Sequence, residues 1–119
     1  MPNQINGPRE AARYDTDVSA ILTAPGMTIA VRMLSVSAGG AMVRMDRLSA
    51  KVFEGDTFLL EIHGVGRFSA TKKWRRDTDI GAKFDLSDAD RVRLADRLAE
   101  RFGARRPGYG SLATSSPLS

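Results

Sequence analysis

Cysteine is absent from the 119-residue chain, and its only histidine is His63. The missing thiols exclude disulfides, thiolate zinc sites and a cysteine nucleophile, and they are typical of a protein of the reducing cytoplasm. A lone histidine cannot complete a zinc site, and no hydroxyl nucleophile stands at a recognisable spacing from a base and an orienting acid. We therefore expect a cytoplasmic protein that is not an enzyme, with no catalytic residues, no metal and no cofactor.

Long apolar runs are also missing. None approaches the roughly 20 residues that a membrane span needs, so we expect no membrane span. The first residues, Met1 to Gly7, contain no basic segment that leads into an apolar stretch, which predicts no secretory signal. With 42% hydrophobic and 27% charged residues, the composition is typical of one globular domain.

The charge is basic and is carried mainly by arginine. The net charge is +4, and fourteen of the eighteen basic residues are arginines. A guanidinium group can pair bidentately with phosphate or guanine and can stack on aromatic rings. A basic balance alone is equally typical of a solvated surface, so the positions of the arginines decide their meaning.

Six short runs alternate between apolar and polar residues, as strands with one buried face do. Turn residues separate the runs; Ala24-Pro25-Gly26-Met27, for example, predicts a type II turn. Residues 46–55 are predicted to be an irregular connection. The pattern favours a small six-stranded antiparallel β-barrel. The inward positions are predicted to be Val18, Ala20 and Leu22; Ile29, Val31 and Met33; Ala41, Val43 and Met45; Phe58, Leu60 and Ile62; Phe68, Ala70, Lys72 and Trp74; and Ile80, Ala82 and Phe84.

The period changes to that of a helix after Ser87, which is followed three residues later by Asp90 in the manner of an N-terminal cap. Apolar residues from Val92 to Phe102 recur at helical spacing, and Gly103 is a natural stop. We expect this amphipathic helix to cover one mouth of the barrel. The predicted organisation is a flexible N-terminus at 1–8, one domain at 9–103 and a disordered tail at 104–119.

Two motifs carry the clearest functional signal. Arg9 and Arg13 stand four residues apart just before the first strand, and Ser35-x-Ser37-x-x-Gly40 forms a small-residue turn before the third strand. In order and placement they resemble the PilZ domain, which has an Arg-x-x-x-Arg loop followed by an Asp/Asn-x-Ser-x-x-Gly turn. The resemblance extends to the strands that carry Trp74 and Gly81, and it covers roughly residues 9 to 102.

The resemblance implies a receptor for the bacterial second messenger cyclic di-GMP, built as an all-β, six-stranded PilZ-like barrel with a C-terminal helix. It implies that Arg9 and Arg13 contact guanine and phosphate, and that the arginine loop closes over a ligand held on the turn. The turn residues in question are Ser35, Ser37, Gly39 and Gly40. Closure would alter the contacts with a protein target that remains to be identified.

Trp74 has two possible roles at this point. Alternation places it on the same face as Phe68, Ala70 and Lys72, where it would plug the end of the barrel. Alternatively, its ring lies beside the bound nucleotide or the closing arginine loop and belongs to the ligand-binding residues.

Two other functions stay open. Ser35 stands where the family has Asp or Asn, so the chain could be a degenerate PilZ-like interaction module that no longer binds cyclic di-GMP. A small basic barrel could also bind RNA or single-stranded DNA, which usually requires exposed aromatic side chains. This chain has only eight aromatic residues, several on predicted apolar faces, so we expect no nucleic acid polymer as a partner.

Overall fold

The alternating runs form six antiparallel strands that close into a barrel in the order β1-β2-β3-β6-β5-β4. The computed structural model describes residues 12–103, so the predictions for residues 1–8, Arg9 and 104–119 lie outside the described residues. The predicted fold class is confirmed. The elements are β1 (Arg13–Ala24), β2 (Met27–Ser37), β3 (Gly40–Arg44), α1 (Arg47–Val52), β4 (Thr57–Ile62), β5 (Gly66–Arg76), β6 (Asp79–Phe84) and α2 (Asp88–Phe102).

The barrel interior is filled by the apolar positions of the alternating pattern. Leu22 of β1 and Leu60 of β4, which pair directly across the sheet, are both fully buried. Burying a side chain of this size contributes about 1.5–3 kcal/mol to the free energy of folding. Many such positions together stabilise the barrel. The other buried strand residues include Ala20, Val31, Met33, Ala41, Val43, Phe58, Ile62, Ala70, Ile80, Ala82 and Phe84.

Helix α2 packs against one end of the barrel, as predicted. Its N-cap is Ser87, whose Oγ accepts a hydrogen bond from the backbone N–H of Asp90 at 3.1 Å. The buried face consists of Leu94, Ala95 and Leu98, whereas Val92 is 46% exposed and does not belong to it. No helix within residues 12–103 is long and apolar enough to cross a membrane.

The prediction of an irregular connection over 46–55 is wrong in part, because the helix α1 lies within it. Asp46 caps this helix: its two carboxylate oxygens accept from the backbone N–H and the hydroxyl of Ser49, both at 2.8 Å. These hydrogen bonds lower the pKa of Asp46. Six residues are too few to show a helical period, and Ala50 is the only buried member.

Arg75 of β5 closes the other end of α1. Its guanidinium donates to the carbonyl oxygen of Phe53 at 2.9 Å and to that of Ala50. We expect Arg75→Ala to lower the free energy of unfolding by about 1–2 kcal/mol, because two helix-terminal carbonyls lose their partner. Urea denaturation measures this, with Arg76→Ala as the control. An equal loss in both variants would show that the charge matters and the cap does not.

A cross-strand ion pair holds β3 against β6. Arg44 Nε lies 2.7 Å from Asp79 Oδ1, and Arg44 Nη2 lies 3.1 Å from Asp79 Oδ2. The guanidinium hydrogen bonds lower the pKa of the Asp79 carboxyl. Pairing of β3 with β6 brings two segments that are distant in sequence side by side, and the candidate site is built across this junction.

Candidate ligand-binding site

The outer wall of the barrel carries a depression of about 570 Å³ that spans β1, β2, β3, β6 and β5. It contains every sequence-predicted ligand residue that the structure describes, and only Arg9 lies outside the described residues. The lining residues are Arg13, Asp15, Leu34, Ser35, Ser37, Gly39, Gly40, Ala41, Met42, Lys73, Trp74, Gly81, Ala82 and Lys83. We call this depression the wall pocket.

Within the described part of the chain, three β-bulges surround the wall pocket. The pairing register shifts between Asp15 and Val18 in β1, at Leu34 in β2 and at Lys73 in β5. A bulge adds one residue to a strand, increases its twist and re-aims the neighbouring side chains. Such irregularities are over-represented beside functional sites, and here they set which side chains face the pocket.

Ser35 anchors Arg13 in the wall pocket. Its Oγ accepts a hydrogen bond from Arg13 Nη1 at 3.1 Å, and the residue is only 5% exposed. A buried hydroxyl needs a partner, and this one finds it in the arginine that the sequence places in the ligand site. Ser35 therefore helps to fix the position of the Arg13 guanidinium.

The bulge in β1 is held by its own contacts. Asp17 has φ 82°, which an aspartate tolerates better than most residues. Arg32 of β2 donates from Nε to Asp17 Oδ1 at 3.0 Å and from Nη2 to the Asp17 carbonyl at 2.7 Å. These two hydrogen bonds fix β1 four residues after Arg13 and so limit the positions that the Arg13 guanidinium can reach.

The turn between β2 and β3 is closed by Ser37, whose Oγ accepts from the backbone N–H of Gly39 at 3.2 Å. The hydroxyl proton stays available for a ligand. At Gly40, a Cβ would overlap the carbonyl oxygen of Ala82 in β6. The backbone of the neighbouring strand therefore leaves no room for a side chain at position 40.

Trp74 does not plug the barrel, and that interpretation is wrong. The extra residue Lys73 breaks the alternation, so Trp74 pairs with Gly81 on the outside and is 45% exposed. A Cβ at Gly81 would overlap the indole ring, which can occupy this place because the position is glycine. The ring thus forms one side of the wall pocket.

Sequence reasoning missed three charged residues of the wall pocket: Asp15, Lys73 and Lys83. With Arg13, the pocket lining that residues 12–103 provide contains three cations and a single carboxylate. Neither lysine forms an ion pair within residues 12–103, so both ammonium groups are free for an anionic ligand. Only the strand order could have revealed them, since they come from β1, β5 and β6.

The side chains present indicate which kind of ligand the wall pocket could accept. Across residues 12–103 there is no group of three His, Cys, Asp or Glu side chains that could hold an ion. The wall pocket is cationic and is bounded by an indole ring, a combination suited to a phosphorylated aromatic ligand.

Comparison with known proteins agrees with this fold. The PilZ domain of CeSA from a cellulose-synthesizing bacterium superposes with a TM-score of 0.60 at 12% identity, covering 81% of this chain and all of that one. The PilZ domain of Escherichia coli YcgR, solved with c-di-GMP, gives a TM-score of 0.59 at 15% identity over 82% and 92% of the two chains. No curated protein shows significant similarity. The family model for the PilZ domain matches residues 8–100, and the chain therefore belongs to the PilZ domain family.

Proposed function

We propose that the protein is a receptor for cyclic di-GMP that binds its ligand in the wall pocket. The observation that carries the proposal is the meeting of Arg13, the 35–40 turn and Trp74 around one cationic depression. The family and the ligand in the YcgR structure support the same ligand. We propose a binding module without catalytic residues.

In this proposal the pocket residues contact different parts of the ligand. Arg13 donates to a guanine O6/N7 edge or to a phosphate, and the Ser37 hydroxyl donates to a phosphate or sugar oxygen. Lys73 and Lys83 are placed for the phosphates, where a compact ammonium acts as a point charge. Trp74 offers its exposed ring to a base.

Arg9, in the segment before β1, is in this proposal the second arginine that contacts the bound ligand. Closing that segment over the ligand costs conformational entropy, which the new charge-assisted contacts offset. The closed segment changes the surface next to the wall pocket, and a protein target recognises that change. In this proposal the module is an adaptor between the nucleotide and its target.

Calorimetric titration with cyclic di-GMP tests the function directly, with GTP and a short single-stranded oligonucleotide as controls. Saturable binding of cyclic di-GMP alone supports the receptor. Binding of none of the three favours the degenerate interaction module, whereas binding of the oligonucleotide favours a nucleic-acid barrel.

Trp74 provides an optical test. We expect its fluorescence to shift or quench as cyclic di-GMP binds, because stacking changes the surroundings of an exposed indole. Trp74→Ala is expected to stay folded, since the ring lies outside the core, and to bind more weakly by about 1–3 kcal/mol. Flat fluorescence during a titration that calorimetry shows to saturate would remove Trp74 from the site.

A further inference from the structure

We infer that Asp15 is the residue that selects guanine, by accepting hydrogen bonds from the base's N1–H and 2-amino groups. The inference rests on the proposed function. It assigns to this chain's β1 an acceptor that the family motif places on the turn at position 35.

The chemistry calls for a carboxylate or amide oxygen. Guanine presents two neighbouring N–H donors on one edge, and a carboxylate, which has two acceptor oxygens, can receive both at once. A serine hydroxyl cannot match this geometry. Ser35 is further disqualified because it is buried and its oxygen already accepts from Arg13.

The strand register places a carboxylate next to Ser35, the position at which the family motif has its acceptor. Asp15 of β1 pairs directly with Ser35 of β2, and Arg13 pairs with Ser37, so the two pairs lie two positions apart on the same face of the sheet. Asp15 is exposed and, among residues 12–103, is the only carboxylate that lines the wall pocket. In this chain the acceptor thus lies on β1 instead of β2, and it remains close to Arg13.

The carboxylate is available to a ligand. The hydrogen bond of Arg13 goes to Ser35, and no ion pair or hydrogen bond engages the Asp15 side chain within residues 12–103. A free carboxylate among three cations would weaken the binding of a simple polyanion. It is useful where the ligand brings its own donors, as a guanine base does.

The test compares cyclic di-GMP with cyclic di-inosine monophosphate, which lacks only the 2-amino groups, by calorimetry on the full chain. We expect the parent protein to prefer cyclic di-GMP by about tenfold, the worth of one hydrogen bond to a charged group. In Asp15→Ala the preference should fall below about threefold, chiefly through weaker binding of cyclic di-GMP. Glu54→Gln, which removes a carboxylate outside the wall pocket, should keep the tenfold preference.

The outcomes separate the two claims. If the parent protein binds cyclic di-GMP and Asp15→Ala retains the preference, the assignment of Asp15 is overturned while the receptor function stands. The assignment also fails if the parent protein does not distinguish the two ligands. If the parent protein binds neither ligand, the proposed receptor function fails and the role of Asp15 with it.

Discussion

Gly40→Ala is expected to lower the free energy of unfolding by about 3 kcal/mol, the upper end of the usual cost of overpacking. The added methyl group would overlap the carbonyl oxygen of Ala82 across the β3–β6 ladder. Strand backbone cannot move aside as a flexible side chain can, so the two strands must separate. Urea denaturation, followed by circular dichroism, measures the loss.

Gly39→Ala is the matched control. Gly39 is exposed, and a Cβ there would lie 3.7 Å from Ser37 Oγ, an ordinary contact. We expect this variant to unfold within about 0.5 kcal/mol of the parent protein, as most surface substitutions do. Equal stability of the two variants would show that β3 and β6 are not packed as described.

Arg13→Ala is expected to weaken cyclic di-GMP binding by about 10- to 150-fold, the equivalent of 1.5–3 kcal/mol for a lost charge-assisted hydrogen bond. Arg13 is exposed at the first position of β1, but its loss also removes the partner of the buried Ser35 hydroxyl, so we expect a small fall in the Tm of a protein that stays folded. Calorimetry gives the affinity, and a thermal melt of the same sample checks the fold.

Arg91→Ala removes an equal charge from helix α2, where Arg91 pairs with Asp88 and takes no part in the wall pocket. It should bind like the parent protein. Arg13→Lys should fall between the two, because it keeps the charge and loses the planar fork. If Arg13→Ala binds cyclic di-GMP as tightly as Arg91→Ala does, Arg13 does not contact the ligand.

The barrel could be predicted from sequence because its core repeats with a period of two. Leu22, Val31 and Phe58 each sit in an alternating run, and all three are buried. The pattern fails where an element is too short or irregular to show a period. α1 went unnoticed for that reason, although Asp46 followed by Ser49 is a usable capping signal.

The site was predictable only in part. Arg13, Ser37 and Trp74 stand in motifs that can be found by eye, and they line one pocket. Lys83 and Asp15 reach the same place only because β3 pairs with β6 and β1 pairs with β2. Such neighbours depend on strand order and register, which local patterns do not specify.

The bulge at Lys73 decides on which face of the sheet Trp74 lies. Lys72 pairs with Ala82 and Trp74 pairs with Gly81, so Lys73 is the residue without a partner in β6. Without the bulge, a β5 of the same length would pair Lys73 with Gly81 and Trp74 with Ile80, whose side chain is fully buried, and the indole would face the barrel interior. Deleting Lys73 would instead leave Trp74 opposite Gly81 on the outer wall. In the evolution of this chain, the loss of one codon at position 73 would therefore remove the bulge and one ammonium group and keep the ring in the pocket.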